Sequence, residues 1–306
     1  MTNHRKERAT DGRNTFIKQQ RLKAGKYFES MGASVKDRTP YLLRSHDDWP
    51  RNIIVPEVAA FIADRIQRRE GHFALHTYVH HGLSSQAFLW NLLGPLAAGG
   101  RVDILTEIVA LAFPGTAEVV SAEFEYEDRL VLGESGGQPT SVDLMIYRSD
   151  GSPIVLEFKY TEPDFGPCSV FRDGDCDGRN PATDHSLCYL HLIGRKYWDL
   201  LEEYGLLTGN MLADSQCPFT SLYQAYRLVL FALVSKGELL LVHDDRSPVF
   251  VTSQNGIARG VWGRVIESLP AEVQQKCAAL SVQDIMGVLE QHPDLNWVSE
   301  LQDKYF

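Results

Sequence analysis

Residues 141–160, SVDLMIYRSDGSPIVLEFKY, restrict the fold more than any other stretch of the chain. Two apolar runs flank a Ser-Asp-Gly sequence, the pattern of an antiparallel hairpin built from buried strands. Charge nevertheless interrupts both runs: Asp143 in the first, Glu157 and Lys159 in the second. Loop length decides whether these charges meet. A three-residue loop, Ser149-Asp150-Gly151, with Gly151 in the left-handed conformation, sets Arg148 opposite Ser152 and Asp143 opposite Glu157. Directly opposed residues share a face, and two-residue spacing brings Lys159 to it as well. A two-residue loop, Asp150-Gly151, sends Asp143 to the other face.

In the first register two carboxylates sit together on a sheet face, an arrangement that is costly unless a cation or proton neutralises it. A hard divalent cation is the economical solution, and Mg²⁺ keeps several waters and takes the rest of its shell from substrate phosphate. Such a metal polarises a phosphoryl oxygen and generates hydroxide, while a lysine orients the water or steadies developing charge. The ordinary alternative is a cross-strand salt bridge on a solvated sheet face, because Glu-x-Lys arises by chance about once in a chain of this length.

With 306 residues the chain accommodates one large domain with elaborations, or two small ones. The net charge of −10 argues against nonspecific coating of nucleic acid or anionic membrane, although a local basic cleft remains compatible. Residues 1–27 carry eight Lys/Arg against Glu7 and Asp11. The expectation for residues 1–30 is therefore a basic arm, solvated or partly disordered, with phosphate contact as the alternative. The absence of a long apolar run or an apolar leader segment gives the expectation of a cytoplasmic, non-membrane protein. An odd number of cysteines, five, disfavours a disulfide framework.

Along the chain, Val58, Phe61, Ile62 and Ile66 recur at helical spacing. LSSQAFLWNLLGP reads as a helix capped by Ser84 or Ser85 and stopping at Gly94-Pro95. A second helical pattern, VDILTEIVALAFPG, precedes the strand EVVSAEFEYE. Residues 161–186 form a long loop of the kind that serves function or binds metal. Helical patterns resume at LCYLHLIGRKYWDLLEEYG and FTSLYQAYRLVLFALVSKG, followed by the strands ELLLVHDD and PVFVTS. The last fifty residues read as helical. One mixed α/β domain over residues 31–250 is expected, with residues 251–306 as a helical extension of it.

Asp143, a thirteen-residue gap, then Glu157-Phe158-Lys159 at the end of an apolar strand resembles the D…(D/E)-x-K core of the PD-(D/E)XK nuclease superfamily. Val142 stands where the superfamily's proline precedes the acid. SSQAFLWNLLGPL, FEYE, LGE, TSVDLMIY, LEFKYTEPDFGPC, YW, CPF and LVHDDRSP, in that order over about residues 76–250, are similar to a bacterial family of restriction endonucleases. The resemblance implies a restriction-endonuclease-like α/β fold: a central mixed β-sheet flanked by helices, here with helical N- and C-terminal additions. It implies Mg²⁺- or Mn²⁺-dependent hydrolysis of DNA phosphodiesters by metal-activated water. Asp143 and Glu157 would ligate the metal, with Lys159 handling water or charge. Glu125 on the preceding strand is a further candidate ligand, Gln224 a candidate orienting group, and Gln86 a candidate partner behind them. DNA is the implied substrate, and a homodimer or an accessory protein the implied assembly. A catalytically idle module that binds nucleic acid or a protein is the alternative.

Cys168, Cys176, Cys188 and Cys217 suit a structural zinc or an iron–sulfur cluster by number, but no Cys-x-x-Cys occurs, and buried free thiols are the alternative. DGDCDGRNPATD, residues 173–184, approximates a calcium loop, yet Asn180, Pro181 and Asp184 spoil the pattern and a solvated acidic turn is expected. GESGG, residues 133–137, reads as a glycine-rich turn. His72, His76 and His80 at four-residue spacing read as structural or surface groups.

Overall fold

The computed structural model describes residues 3–68, 73, 75–254 and 257–306. Five strands form the central sheet: β1 (Val119–Glu127), β2 (Ser141–Arg148), β3 (Pro153–Lys159), β4 (Glu238–His243) and β5 (Cys277–Ser281), in that spatial order. The first three run antiparallel as a meander, and β4 and β5 add in parallel to β3. The sheet is therefore mixed, and both faces are covered. One face, with Leu144, Ile146, Leu156, Phe158 and Val242, packs against the amino-terminal helices and the last two helices. The other, with Met145, Val155, Leu239 and Leu241, packs against helices from the second half of the chain.

The main helices are α1 (Asn3–Ser30), α2 (Pro56–Arg68), α3 (Ser85–Ala98), α4 (Val102–Ala112), α5 (Tyr197–Glu203), α6 (Tyr223–Val234), α7 (Val282–Leu289) and α8 (Val298–Tyr305), besides the helix Val261–Glu267 and shorter turns. The Ser84 hydroxyl caps α3 by accepting the Ala87 N–H at 3.2 Å. Among the described residues, no helix is long and apolar enough to cross a membrane.

Four expectations require correction. The basic arm is not a disordered tail: residues 3–30 are helical, and Phe16, Gln20, Ala24, Tyr27 and Phe28 form a buried stripe at three- and four-residue spacing. Lys18, Arg21 and Lys26 point outward, so the positive charge decorates the solvent face of a docked helix. Helix α3 does not stop at Gly94-Pro95 but continues to Ala98. Gly94 packs so closely on Val58 that a Cβ would lie 2.7 Å from its side chain, which explains a glycine inside a helix. The pattern at 187–205 is not one helix; it breaks at Gly194, whose φ is +86°, into a turn at Tyr189–Leu192 and α5. The last fifty residues are not wholly helical: β5 joins the central sheet, pairing Leu239 with Cys277 and His243 with Ser281.

Strand character in PVFVTS is confined to its end, where Thr252–Gln254 pairs with Ile257–Arg259. His76 and His80 lie in an irregular turn rather than on a helix, and His72 falls outside the described residues.

Candidate active site

The hairpin adopts the three-residue loop. Leu144 pairs with Leu156, Met145 with Val155, Ile146 with Ile154 and Tyr147 with Pro153. Gly151 takes φ +82°, and its N–H donates to Arg148 O at 3.0 Å. One step past the Leu144–Leu156 pair, Asp143 faces Glu157. The Phe158 N–H donates to Asp143 Oδ2 at 2.7 Å, so this carboxylate takes an amide at the end of the β2–β3 ladder.

Glu157 and Lys159 project toward the face covered by α6, and both are almost wholly buried. Lys159 Nζ lies 2.7 Å from Glu157 Oε1. Gln224, in the first turn of α6, closes a triangle: its Nε2 donates to Glu157 Oε1 at 2.7 Å and its Oε1 accepts from Lys159 Nζ at 2.7 Å. The Phe165 ring centroid lies 5.5 Å from Lys159 Nζ, an apolar and cation-tolerant wall. Burial by itself would lower the Lys159 pKa, but Glu157, Glu162 and Asp143 outweigh it and raise it, keeping the amine charged.

Glu125 lies in β1 between the Phe124–Leu144 and Tyr126–Val142 pairs, level with Asp143. Its φ of +52° is a left-handed conformation unusual for a strand residue. The Gln86 amide donates to Glu125 Oε1 at 2.8 Å, and Ser141 Oγ to Oε2 at 3.3 Å. Gln86 in turn accepts the His76 N–H at 2.9 Å, so α3 is tied to the sheet edge through one side chain.

Three carboxylates thus lie level across three adjacent strands, and each is hard to ionise. Burial raises Glu125 to about 7 despite the hydrogen bonds from Gln86 and Ser141. Burial, then the charges of Glu157 and Glu125, hold Asp143 well above the usual carboxylate range. Burial also raises Glu157, against the pull of Lys159. Glu157 Oε2 is buried without a hydrogen-bond partner. An unpartnered buried carboxylate oxygen beside a second carboxylate fits a hard divalent cation, which Asp143 and Glu157 could hold. Glu125 does not close with both of them onto one point: among the described residues, the group of three ligating atoms within 4.8 Å is His185, His191 and Asp199.

The sequence reading missed one charged hub. Glu134, assigned to a glycine-rich turn, is wholly buried and lies 2.8 Å from Arg227 Nη2. It also accepts from Tyr197 Oη at 2.5 Å and from Thr140 Oγ1 at 2.9 Å. Burial by itself would raise its pKa, but Arg227, Tyr197 and Thr140 outweigh it and lower it. Arg227 sits one helical turn after Gln224, so this ion pair sets the rotation of α6 that aims Gln224 at the site. The LGE motif was a signal for it, but a partner 93 residues away has no local signature.

Three of the four carboxylates in the acidic loop at 173–184 are spent locally: Asp173 on Arg172 at 2.8 Å, Asp177 on Arg179 at 2.9 Å, and Asp184 on the Ser186 N–H at 3.1 Å. Cys168, Cys176, Cys188 and Cys217 form no disulfide.

No curated protein and no solved structure matches the chain. The family described as Restriction Endonuclease associating with ARP matches residues 14–306, which takes in α1 from its middle, the whole hairpin and β5. The match spans nearly the whole mixed α/β domain, central sheet included, and the chain belongs to this family of restriction endonucleases associating with ARP.

Proposed function

We propose that the protein is a bacterial, cytoplasmic deoxyribonuclease that hydrolyses phosphodiester bonds with Mg²⁺ or Mn²⁺ held by Asp143 and Glu157. The observation that carries this reading is the buried, unpartnered Oε2 of Glu157, a carboxylate that neighbours Asp143 and has the Lys159 amine 2.7 Å from its other oxygen. The metal, when bound, supplies Lewis acidity toward a phosphoryl oxygen and a lowered pKa for its water.

The chain supplies the rest. Asp143 is anchored by the Phe158 N–H and presents its other oxygen. Lys159, kept protonated by the surrounding acids, would donate to the attacking water or to the phosphoryl oxygens on which charge develops. Gln224 fixes the lysine relative to Glu157 through both ends of its amide. Glu125, raised to about 7 by burial and tied to Gln86 and Ser141, stands beside the pair as a further acid. The family's description also names an associated protein, ARP, and we take an accessory partner as part of the working enzyme.

A second reading, a catalytically idle module binding nucleic acid or protein, draws on the Glu157–Lys159 ion pair, which occupies both groups with each other. Cleavage of plasmid and single-stranded DNA with Mg²⁺, Mn²⁺ or EDTA separates the two. Metal-dependent cutting abolished by Asp143→Asn and by Lys159→Ala supports the nuclease. DNA binding without cutting in any metal supports the idle module.

A further inference from the structure

Cys168, Cys176, Cys188 and Cys217 come from four separate segments of the long connection between β3 and α6, yet they line one cavity of about 30 Å³. Its remaining walls include the apolar side chains of Val170, Phe171, Leu190 and Phe219. Backbone donors aim at the sulfurs. The Gly178 N–H donates to Cys176 Sγ at 3.4 Å. Val170 and Phe171 donate toward Cys168, and Phe219 toward Cys217. In all three cases a donor comes from the residue two positions further on. A neutral thiol is a weak acceptor, whereas a metal-bound thiolate is stabilised by such hydrogen bonds.

The segments are also stitched together at the backbone. The Cys168 N–H donates to Phe219 O at 2.7 Å and the Cys217 N–H to Gly178 O at 2.8 Å. Gly178 takes φ +77°, and a Cβ there would meet the Phe171 ring at 2.8 Å, so the chain turns tightly next to Cys176. Four thiols in one apolar cavity, with directed amides and no disulfide among them, form a prepared soft-metal site.

Spacing selects the kind of centre. A single zinc ion about 2.3 Å from four sulfurs needs sulfur–sulfur separations of about 3.8 Å and leaves no room between them. Here no three of the four sulfurs lie within 4.8 Å of one another, and water-sized space separates them. An iron–sulfur cluster places iron and sulfide between the thiolates and so spreads them further apart. We infer that Cys168, Cys176, Cys188 and Cys217 ligate an iron–sulfur cluster that clamps the connection between β3 and α6. The clamp reaches the active site through two backbone bonds, Tyr223 N–H to Gly166 O at 3.1 Å and Gln224 N–H to Phe165 O at 3.3 Å. It thereby holds Gln224 and Phe165 in place without itself taking part in the chemistry.

The test is metal and sulfide analysis of the full chain purified without oxygen. About two or four iron atoms with equal sulfide per chain, and visible absorption that a reductant bleaches, are expected. Cys176 is exposed and Cys188 half-buried, so Cys176→Ser and Cys188→Ser leave the core intact; each should lower iron at least fivefold, while Cys277→Ser and His191→Ala retain it. Alkylation of the native wild type provides a reading that no variant can confound: Cys176 and Cys188 are protected until a chelator and oxidant strip the centre. Zinc alone, or iron lost in His191→Ala and kept in the cysteine variants, overturns the assignment. A metal-free native chain whose Cys176 and Cys188 alkylate freely overturns the centre altogether.

Discussion

Asp143 Oδ2 accepts the Phe158 N–H at 2.7 Å, a carboxylate on one strand bonding to an amide beside the acid it opposes. This bond holds Asp143 toward Glu157 although the two repel. Asp143→Asn keeps an acceptor for Phe158 and removes a charge that burial and two neighbouring acids disfavour. The variant should lose DNA cleavage and, in EDTA, melt a few degrees higher than wild type. Thermal unfolding with and without Mg²⁺ reads both effects: wild type gains stability on adding metal, and the variant gains little.

Gln224 meets Glu157 and Lys159 with the two ends of one amide, each at 2.7 Å. Gln224→Met fills the same volume and makes neither bond. It should lower kcat by about 10- to 100-fold with KM little changed, as expected for a group that orients others. Lys159→Arg should not restore activity to a Lys159→Ala enzyme, because the planar guanidinium cannot replace a compact amine inside a triangle this tight. Single-turnover cleavage at saturating DNA separates these effects from binding.

Glu125 is raised to about 7 by burial. A carboxyl whose folded pKa exceeds its unfolded value contributes stability that is complete below the unfolded pKa, near 4.5, and lost as pH rises through about 7. The metal-free protein should therefore lose stability across that window, and Glu125→Gln should lose less of it. Urea midpoints at pH 5 and pH 8 for the two proteins give the comparison; equal losses would contradict the assignment.

Arg227→Met removes the cation beside Glu134, which is wholly buried. The uncompensated carboxylate should cost about 3 kcal/mol, the usual penalty for breaking a buried pair from one side. The double variant Arg227→Met/Glu134→Gln should recover much of that loss. Cleavage should fall in the single variant even where it is folded, because α6 no longer aims Gln224.

Gly151 has open space around its Cα but a φ of +82°. Gly151→Val therefore costs conformational energy rather than packing, about 1–2 kcal/mol. Gly151→Asn should be nearly neutral, since asparagine tolerates that conformation. Activity that follows this order would show that the site depends on the loop register.

The charged hairpin was legible because three signals agreed: apolar runs, a glycine at the one position needing positive φ, and charges at matched distances from the turn. Strand β5 was not. CAALS is short, weakly hydrophobic and without flanking turn residues, and its place in the sheet comes from pairing with β4 nearly forty residues earlier. Helix α1 was misread because the lysines and arginines between Phe16, Gln20, Ala24 and Phe28 mask the stripe. The Gln86–Glu125 bond lay beyond reach for a similar reason: 39 residues separate its partners.

The amino-terminal helix has a consequence for how the active strand ends. Phe16 meets Tyr160 edge-on at 5.6 Å, the Tyr160 hydroxyl donates to Gln20 Oε1 at 2.9 Å, and Arg13 donates to Thr161 O at 2.6 Å. Helix α1 thus braces Tyr160, the residue after Lys159, and the face of α1 turned away from that brace carries Lys18, Arg21 and Lys26. Lys159 is therefore held from two sides, by Gln224 of α6 through its amine and by α1 through the residue that follows it, so that a shift of either helix is passed on to the same strand end.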